Sequence, residues 1–241
     1  MVADHGRPGA DDYDPSFSPN GTQLPFRSER EGGGIFVVPA LGGEARLAIP
    51  EGRRPRFSPD GRRLLYWTGP AEPHDVRGSV DTKLWVRPVT GGAPTQIGAG
   101  CRLFEKTPVW SPDGSRIRLI RVCGSDVQTR ASQPQDYGLS AWISTPDGRV
   151  LEPNRQLYQL WPTIHNQHPV IDEWMTAPSR LLIPTLVGNA TSITAVPVSE
   201  DGARISGPPQ RLAFAGGTAA RVSAAVNERM VLSAETVSPV R

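Results

Sequence analysis

The sequence predicts an all-β chain built from repeated four-stranded antiparallel units, and three observations carry that prediction. Gly 25 and Pro 25 of 241 residues fall between short apolar runs, not in a low-complexity tract, which is the punctuation of strands and turns. One heptad occurs three times, as Pro15-Ser16-Phe17-Ser18-Pro19-Asn20-Gly21, Pro55-Arg56-Phe57-Ser58-Pro59-Asp60-Gly61 and Pro108-Val109-Trp110-Ser111-Pro112-Asp113-Gly114, at spacings of 40 and 53 residues. Similar apolar runs follow each copy in the same order, and self-similarity at this period marks a repeat architecture.

Within each heptad, Ser-Pro-Asp/Asn-Gly reads as a hairpin turn. Proline presets φ, Asp60, Asp113 or Asn20 tolerates the next position, and Gly21, Gly61 or Gly114 accepts positive φ. The strand before the turn ends at Phe17, Phe57 or Trp110. The strand after it covers residues 23–28, 62–67 or 116–122. A third strand follows at 35–39, 84–88 and 141–145. The first two of these run into Gly42-Gly43 and Gly91-Gly92, and a short fourth strand follows at 45–49 and 94–97. Trp174-Met175-Thr176-Ala177-Pro178-Ser179-Arg180-Leu181 aligns on Trp110 to Ile117 without a gap and opens a degenerate copy. Its third strand is expected at 192–198 and its fourth at 210–214, after a polar excursion at 199–209. A fifth copy begins at Arg221 and ends with the strand around Met230.

Four short antiparallel strands per repeat of about 40 to 50 residues is the unit of a β-propeller blade. The expected organisation is a lead-in at 1–13, blades at 14–53, 54–106, 107–166 and 167–218, a half-blade at 219–235 and a tail at 236–241. The half-blade supplies two strands, and residues 1–13 show no alternation that would add others. About four and a half blades are therefore expected, in an incomplete ring prone to self-association through open blade edges.

These residues resemble the TolB-like, WD-like propeller repeat, whose signature is the Pro-x-aromatic-Ser-Pro-Asp-Gly turn. The resemblance covers residues 14–235. The stretch from Arg27 to Gly43 is similar to blades of bacterial propellers fused to serine/threonine kinases or winged-helix regulators. It implies a non-enzymatic interaction or sensor module with no catalytic residues to carry over. The alternative it leaves open is a fragment of a larger enzyme or signalling protein whose kinase, prolyl-oligopeptidase-type or regulator domain is not in this chain. A fragment of a TolB-like relative would be periplasmic or extracytoplasmic, whereas the chain as it stands reads as cytoplasmic.

Charge and motifs exclude several function classes. The formal net charge is +2, Lys83 and Lys106 are the lysines, and no long block of like charge occurs, so a nucleic-acid footprint is missing. The opening MVADHGRPGADDYD lacks a charged n-region and an apolar h-region, and no run of 18 apolar residues occurs; neither export nor membrane insertion is expected. Cys101 and Cys123 have no zinc-ligand spacing, and their spacing leaves a bridge unsupported. No G-x-S-x-G elbow is present, and Asp60-Gly61 and Asp113-Gly114 are adjacent, unlike the spaced pair of a sialidase-type Asp box. The innermost strands carry Ser16, Arg56 and Val109 where a carbohydrate-active propeller would carry paired carboxylates.

The remaining chemical candidates have plain structural readings. His74-Asp75 and His165-Asn166-Gln167-His168 lack a third metal ligand in pattern. Asp11, Asp12 and Asp14 lack an EF-hand spacing and read as a solvated acidic lead-in. Phe17, Phe57, Trp110 and Trp174 recur at one blade position, where filling space between sheets explains them better than a stacking platform; Trp67, Trp85 and Trp142 read the same way. Arg27, Arg30, Arg53, Arg54, Arg56, Arg62 and Arg63 read as a solvated basic face. No cofactor is expected. Two long connections join second and third strands, at 70–82 and 123–138. Loops that escape the packing constraint carry function, so His74, Asp75, Arg77, Asp126, Gln128 and Arg130 are the candidate contacts for a protein partner.

Overall fold

The computed structural model describes residues 12–69, 82–99, 101–103, 108–123, 140–149, 173–175, 179–187, 190–200, 202, 204–215, 219–224 and 230–235. The chain divides into two compact units, residues 1–106 with 146–149, and residues 107–145 with 150–241.

The first unit holds two sheets. One runs β1 (Asp12–Tyr13), β2 (Gln23–Ser28), β3 (Gly34–Pro39) and β4 (Arg46–Pro50), hydrogen-bonded in chain order. The other runs β5 (Arg53–Phe57), β6 (Arg63–Thr68), β7 (Lys83–Pro88) and β8 (Thr95–Ile97), again in chain order, and β9 (Cys101–Leu103) follows. The second unit holds β10 (Val109–Trp110), β11 (Ile117–Cys123) and β12 (Ser140–Ser144), then a sheet of β13 (Glu173–Met175), β14 (Arg180–Val187), β15 (Ala190–Pro197) and β16 (Gln210–Ala215). A two-stranded hairpin, β17 (Ala219–Ala224) with β18 (Met230–Glu235), comes last. These neighbour-to-neighbour antiparallel sheets are propeller blades, and the all-β expectation of four blades and a half holds.

Burial explains the apolar spacing. Ile35 and Ile49, opposite one another on β3 and β4, pack with Leu64 and Tyr66 of β6 in the core between the first two sheets. Burial raises the Tyr66 phenol above its ordinary pKa. Gly52, in the link from β4 to β5, lies so close to Ile35 and Ile49 that a Cβ would meet their methyl carbons at 2.7 and 2.9 Å. Met175, Leu182, Ile193 and Ala195 form the corresponding core of the fourth sheet.

Two expectations are corrected here. The innermost strand of the first blade is Asp12–Tyr13, paired with Ser28 and Arg27, and does not reach Phe17. Asp14 stands at φ 50° before Pro15, and beyond it Ser16 N and Ser18 N donate to the Pro25 and Gln23 carbonyls; Phe17 is 65% exposed while Trp110 and Trp174 are buried. The blade-core reading therefore fails for Phe17. A proline inside a second strand is expected to weaken pairing, yet Pro25 and Pro184 interrupt neither of their strands: the β2–β3 register runs from Gln23 to Ser28 and the β14–β15 register from Arg180 to Val187. The Pro25 carbonyl accepts from Ser16 N at 3.0 Å, so the missing N–H of Pro25 faces that side, beyond the end of β1, and β3 loses no hydrogen bond.

Candidate functional site

The Ser-Pro-Asx-Gly turns set one end of the first two blades. Gly21, Gly61 and Gly114 all stand at φ 69°, and each N–H donates to the carbonyl of the turn serine at 2.8 to 2.9 Å. The serine hydroxyl then does two jobs. It donates to the Asx side chain, at 2.7 Å for Ser18–Asn20, 2.5 Å for Ser58–Asp60 and 2.6 Å for Ser111–Asp113. It also accepts the N–H five residues on, from Gln23, Arg63 and Arg116. The hydrogen bond from Ser58, with the Arg62 N–H, holds the Asp60 carboxyl below its ordinary pKa. At Asp113 burial pushes the pKa up, but hydrogen bonds from Ser111 and Ser115 outweigh it and the net shift is downward.

A fourth copy of this turn escaped sequence reading. In Ser199-Glu200-Asp201-Gly202, Gly202 N donates to Ser199 O at 2.7 Å, Arg204 N donates to Ser199 Oγ at 3.0 Å, and Gly202 has φ 67°. Glu200 stands where proline was sought. The Ser-x-Asp-Gly remainder was the available signal.

The opposite end of the first unit carries the candidate site. In an up-and-down sheet the β2–β3 connection and the β4–β5 link emerge away from the Ser-Pro-Asx-Gly turns, and here they meet in an ion-pair network. Arg27 is buried on β2 and grips Glu29 with both fork nitrogens, Nε to Oε1 at 2.8 Å and Nη2 to Oε2 at 2.6 Å, while Nη1 donates to the Gly52 carbonyl at 3.0 Å. Glu29 is also reached by Arg53 at 3.5 Å. Its pKa is held down first by the Arg27 hydrogen bonds and further by the charges of Arg27 and Arg53, against burial. Arg30 pairs with Asp12 at 2.8 Å, takes Ser28 Oγ with its Nε, and lies over the rings of Phe26 and Phe36 at 5.5 and 5.4 Å. Arg54 pairs with Asp14 at 3.4 Å.

Backbone conformation fixes the network as firmly as charge does. Asp14, Glu31, Glu51 and Arg54 are the four non-glycine residues with positive φ among the described residues, and all four lie at this end. Such conformations each cost about 1 to 3 kcal/mol and persist where surroundings over-determine them. Gly33, at φ 86°, is needed as glycine because a Cβ would strike the Arg27–Glu29 fork.

Several expectations change in this light. Asp12 and Asp14 are arginine partners, not a solvated lead-in, and Asp11 lies outside the described residues. Arg27, Arg30, Arg53 and Arg54 are not a solvated basic face: Arg27 is buried, and each of the four bonds an acidic side chain. His74, Asp75, Arg77, Asp126, Gln128, Arg130, His165, His168 and the side chains of Trp142, Cys101 and Cys123 lie outside the described residues. The strand ends that carry the first of the two loops are described. Arg53 is opposite Trp67, and Thr68 is opposite Lys83, so the β6–β7 connection departs beside the network. Among the described residues no group of three metal-ligating side chains occurs, and no helix is long and apolar enough to cross a membrane.

The network's acids and bases are engaged with one another at fixed positions, which suits recognition by charge and shape. No family model and no curated protein matches the sequence. Solved structures do match in fold. A protein assigned as TolB from Agrobacterium tumefaciens is 18% identical with TM-score 0.52, over 83% of this chain and 64% of its own. Pyrococcus horikoshii acylaminoacyl peptidase is 12% identical with TM-score 0.51, over 97% of this chain and 36% of its own. The β-propeller domain of the Trilobed protease from Pyrococcus furiosus is 13% identical with TM-score 0.51, over 94% of this chain and 64% of its own. The chain thus spans less than two thirds of each of these structures. With the blade order and turn geometry above, the fold of this chain is the TolB-like β-propeller.

Proposed function

We propose that this chain acts by binding a protein partner and not by chemistry, as a propeller module whose contact face is the charged end of its first two blades. The observation that carries the reading is the Asp12–Arg30, Arg27–Glu29–Arg53 and Asp14–Arg54 network, held among four strained non-glycine residues. A face ordered before encounter loses little conformational entropy on binding. The β6–β7 loop leaving beside Arg53 would extend it with His74, Asp75 and Arg77. The test begins with cross-linking to name the partner. Calorimetry with that purified partner follows, using the wild type, Arg53→Ala and Arg54→Ala. Affinity is expected to fall at least tenfold in the variants while the thermal midpoint moves little. Unchanged affinity would remove this face from the proposal.

A second reading is favoured by the comparisons: acylaminoacyl peptidase and the Trilobed protease are proteases with propellers of this fold. On that reading the chain is the propeller part of a larger enzyme. Labelling of the complete natural gene product by a fluorophosphonate probe, with no labelling of residues 1–241 alone, would support it. Specific labelling of a serine within residues 1–241 would overturn both readings.

A further inference from the structure

Arg118 heads the largest fully buried side chains among the described residues. It sits on β11 opposite Val109 and Ile143. Its Nη2 donates to the Gly202 carbonyl at 2.5 Å, and its guanidinium lies over the Trp174 ring at 5.6 Å. The surroundings are built to hold that position. Trp174 Nε1 donates to Ser179 Oγ at 3.0 Å, the fourth turn presents the Gly202 carbonyl, and a Cβ at Gly202 would run into the Trp174 ring.

What this setting lacks, among the described residues, is a counter-charge. Arg118 Nε and Nη1 are buried and make no hydrogen bond. Desolvation lowers the guanidinium pKa only to about 10, so the group stays cationic at neutral pH. An unpaired buried ion is strongly disfavoured, and neither one neutral carbonyl nor one aromatic face cancels a full charge. The same chain shows the complete arrangement at Arg27: a backbone carbonyl on one nitrogen and a carboxylate across the fork. Arg118 has the carbonyl and an aromatic face, and its remaining donors point to the missing carboxylate.

We propose that Arg118 is the receptor of a buried anion site in the second unit, walled by Trp174 and the Ser199–Gly202 turn, and that its ligand is a small carboxylate taken from solution. A planar carboxylate matches the guanidinium fork with two parallel hydrogen bonds, which a spherical halide cannot do.

Isotopically labelled formate is the probe. Equilibrium dialysis of the full chain is expected to retain one formate per molecule, and chloride at equal ionic strength is expected to compete at least tenfold more weakly. Stability of the wild type should rise linearly with the logarithm of formate concentration above Kd. Arg118→Met should lose retention and the formate-dependent rise together. Arg118→Lys, which keeps charge but not the fork, should weaken retention about tenfold, and it carries the comparison if Arg118→Met does not fold. Wild type that retains no formate, or a formate response equal in the wild type and Arg118→Lys, would overturn the site and assign the Arg118 donors to water or to a carboxylate of the chain itself.

Discussion

Asp60 and Asp113 do more than tolerate a turn. Each carboxylate takes a serine hydroxyl and a backbone N–H, and each has a pKa below its ordinary value. A carboxyl whose folded pKa is depressed contributes stability that is fully present above the unfolded pKa, near 3.9, and is lost as pH falls through the lower folded value. The first blade has Asn20 in the same position, with the same Ser18 and Thr22 contacts and no charge to titrate. Replacing both acids by asparagine is therefore expected to leave the turns formed and to flatten the fall in the urea midpoint below about pH 4. An acid limb identical to that of the wild type would remove these two residues from it. Sequence alone gave the identity of these residues, because Ser-Pro-Asp-Gly names its conformation locally. It could not give the pairing of Arg53 with Glu29 and of Arg54 with Asp14, since these charges meet only once two sheets have packed, nor that of Arg30 with Asp12, which needs the β1–β2 register.

At the scale of the element, legibility followed the turn chemistry. Strands next to a well-formed Ser-Pro-Asx-Gly turn were placed within a residue or two, and β2 and β3 of the first blade show it. The innermost strand of that blade was misplaced because Phe17 looked like Phe57 and Trp110, whereas the regular register stops at Asp12–Tyr13 and is followed past the left-handed Asp14 by bonds from Ser16 N and Ser18 N to β2. The fourth turn was missed because its proline is absent, yet it repeats the glycine N–H bond to the serine carbonyl and the N–H bond to the serine Oγ five residues back. Gly61 and Gly202 share the same left-handed φ but differ in surroundings. A Cβ at Gly61 would meet Pro19 at an ordinary 3.6 Å, whereas one at Gly202 would strike Trp174. Gly61→Ala should therefore register only the backbone strain of about 1 to 2 kcal/mol. Gly202→Ala should cost more, because the ring must move and the Gly202–Arg118 contact shifts with it. Denaturant titrations of the two variants check the order, and equal losses would show that Trp174 yields freely.

For the whole molecule, the repeat is informative where the blades are regular and silent where they are not. The sequence predicted four sheets and a hairpin, and β17 with β18 supply that hairpin. Among the described residues, β17 pairs only with β18, so each strand presents a second row of N–H and C=O groups outside the pair. Two-stranded sheets are marginal in water, and exposed strand edges template pairing with other chains. The protein is therefore expected to self-associate through this hairpin. Light scattering should show an average mass rising above 26.0 kDa as concentration increases. Hydrogen exchange at residues 219–235 should be faster than in β2, β3, β6 and β7 when dilute, and should slow on association. Lysine at Ser233 of β18 places a charge on the strand, a substitution that discourages edge-to-edge pairing, and should restore the monomer without changing exchange in the first two blades. A wild type that stays monodisperse at 26.0 kDa across a hundredfold concentration range, with protected amides from 219 to 235, would show that the hairpin's edges are satisfied within one molecule.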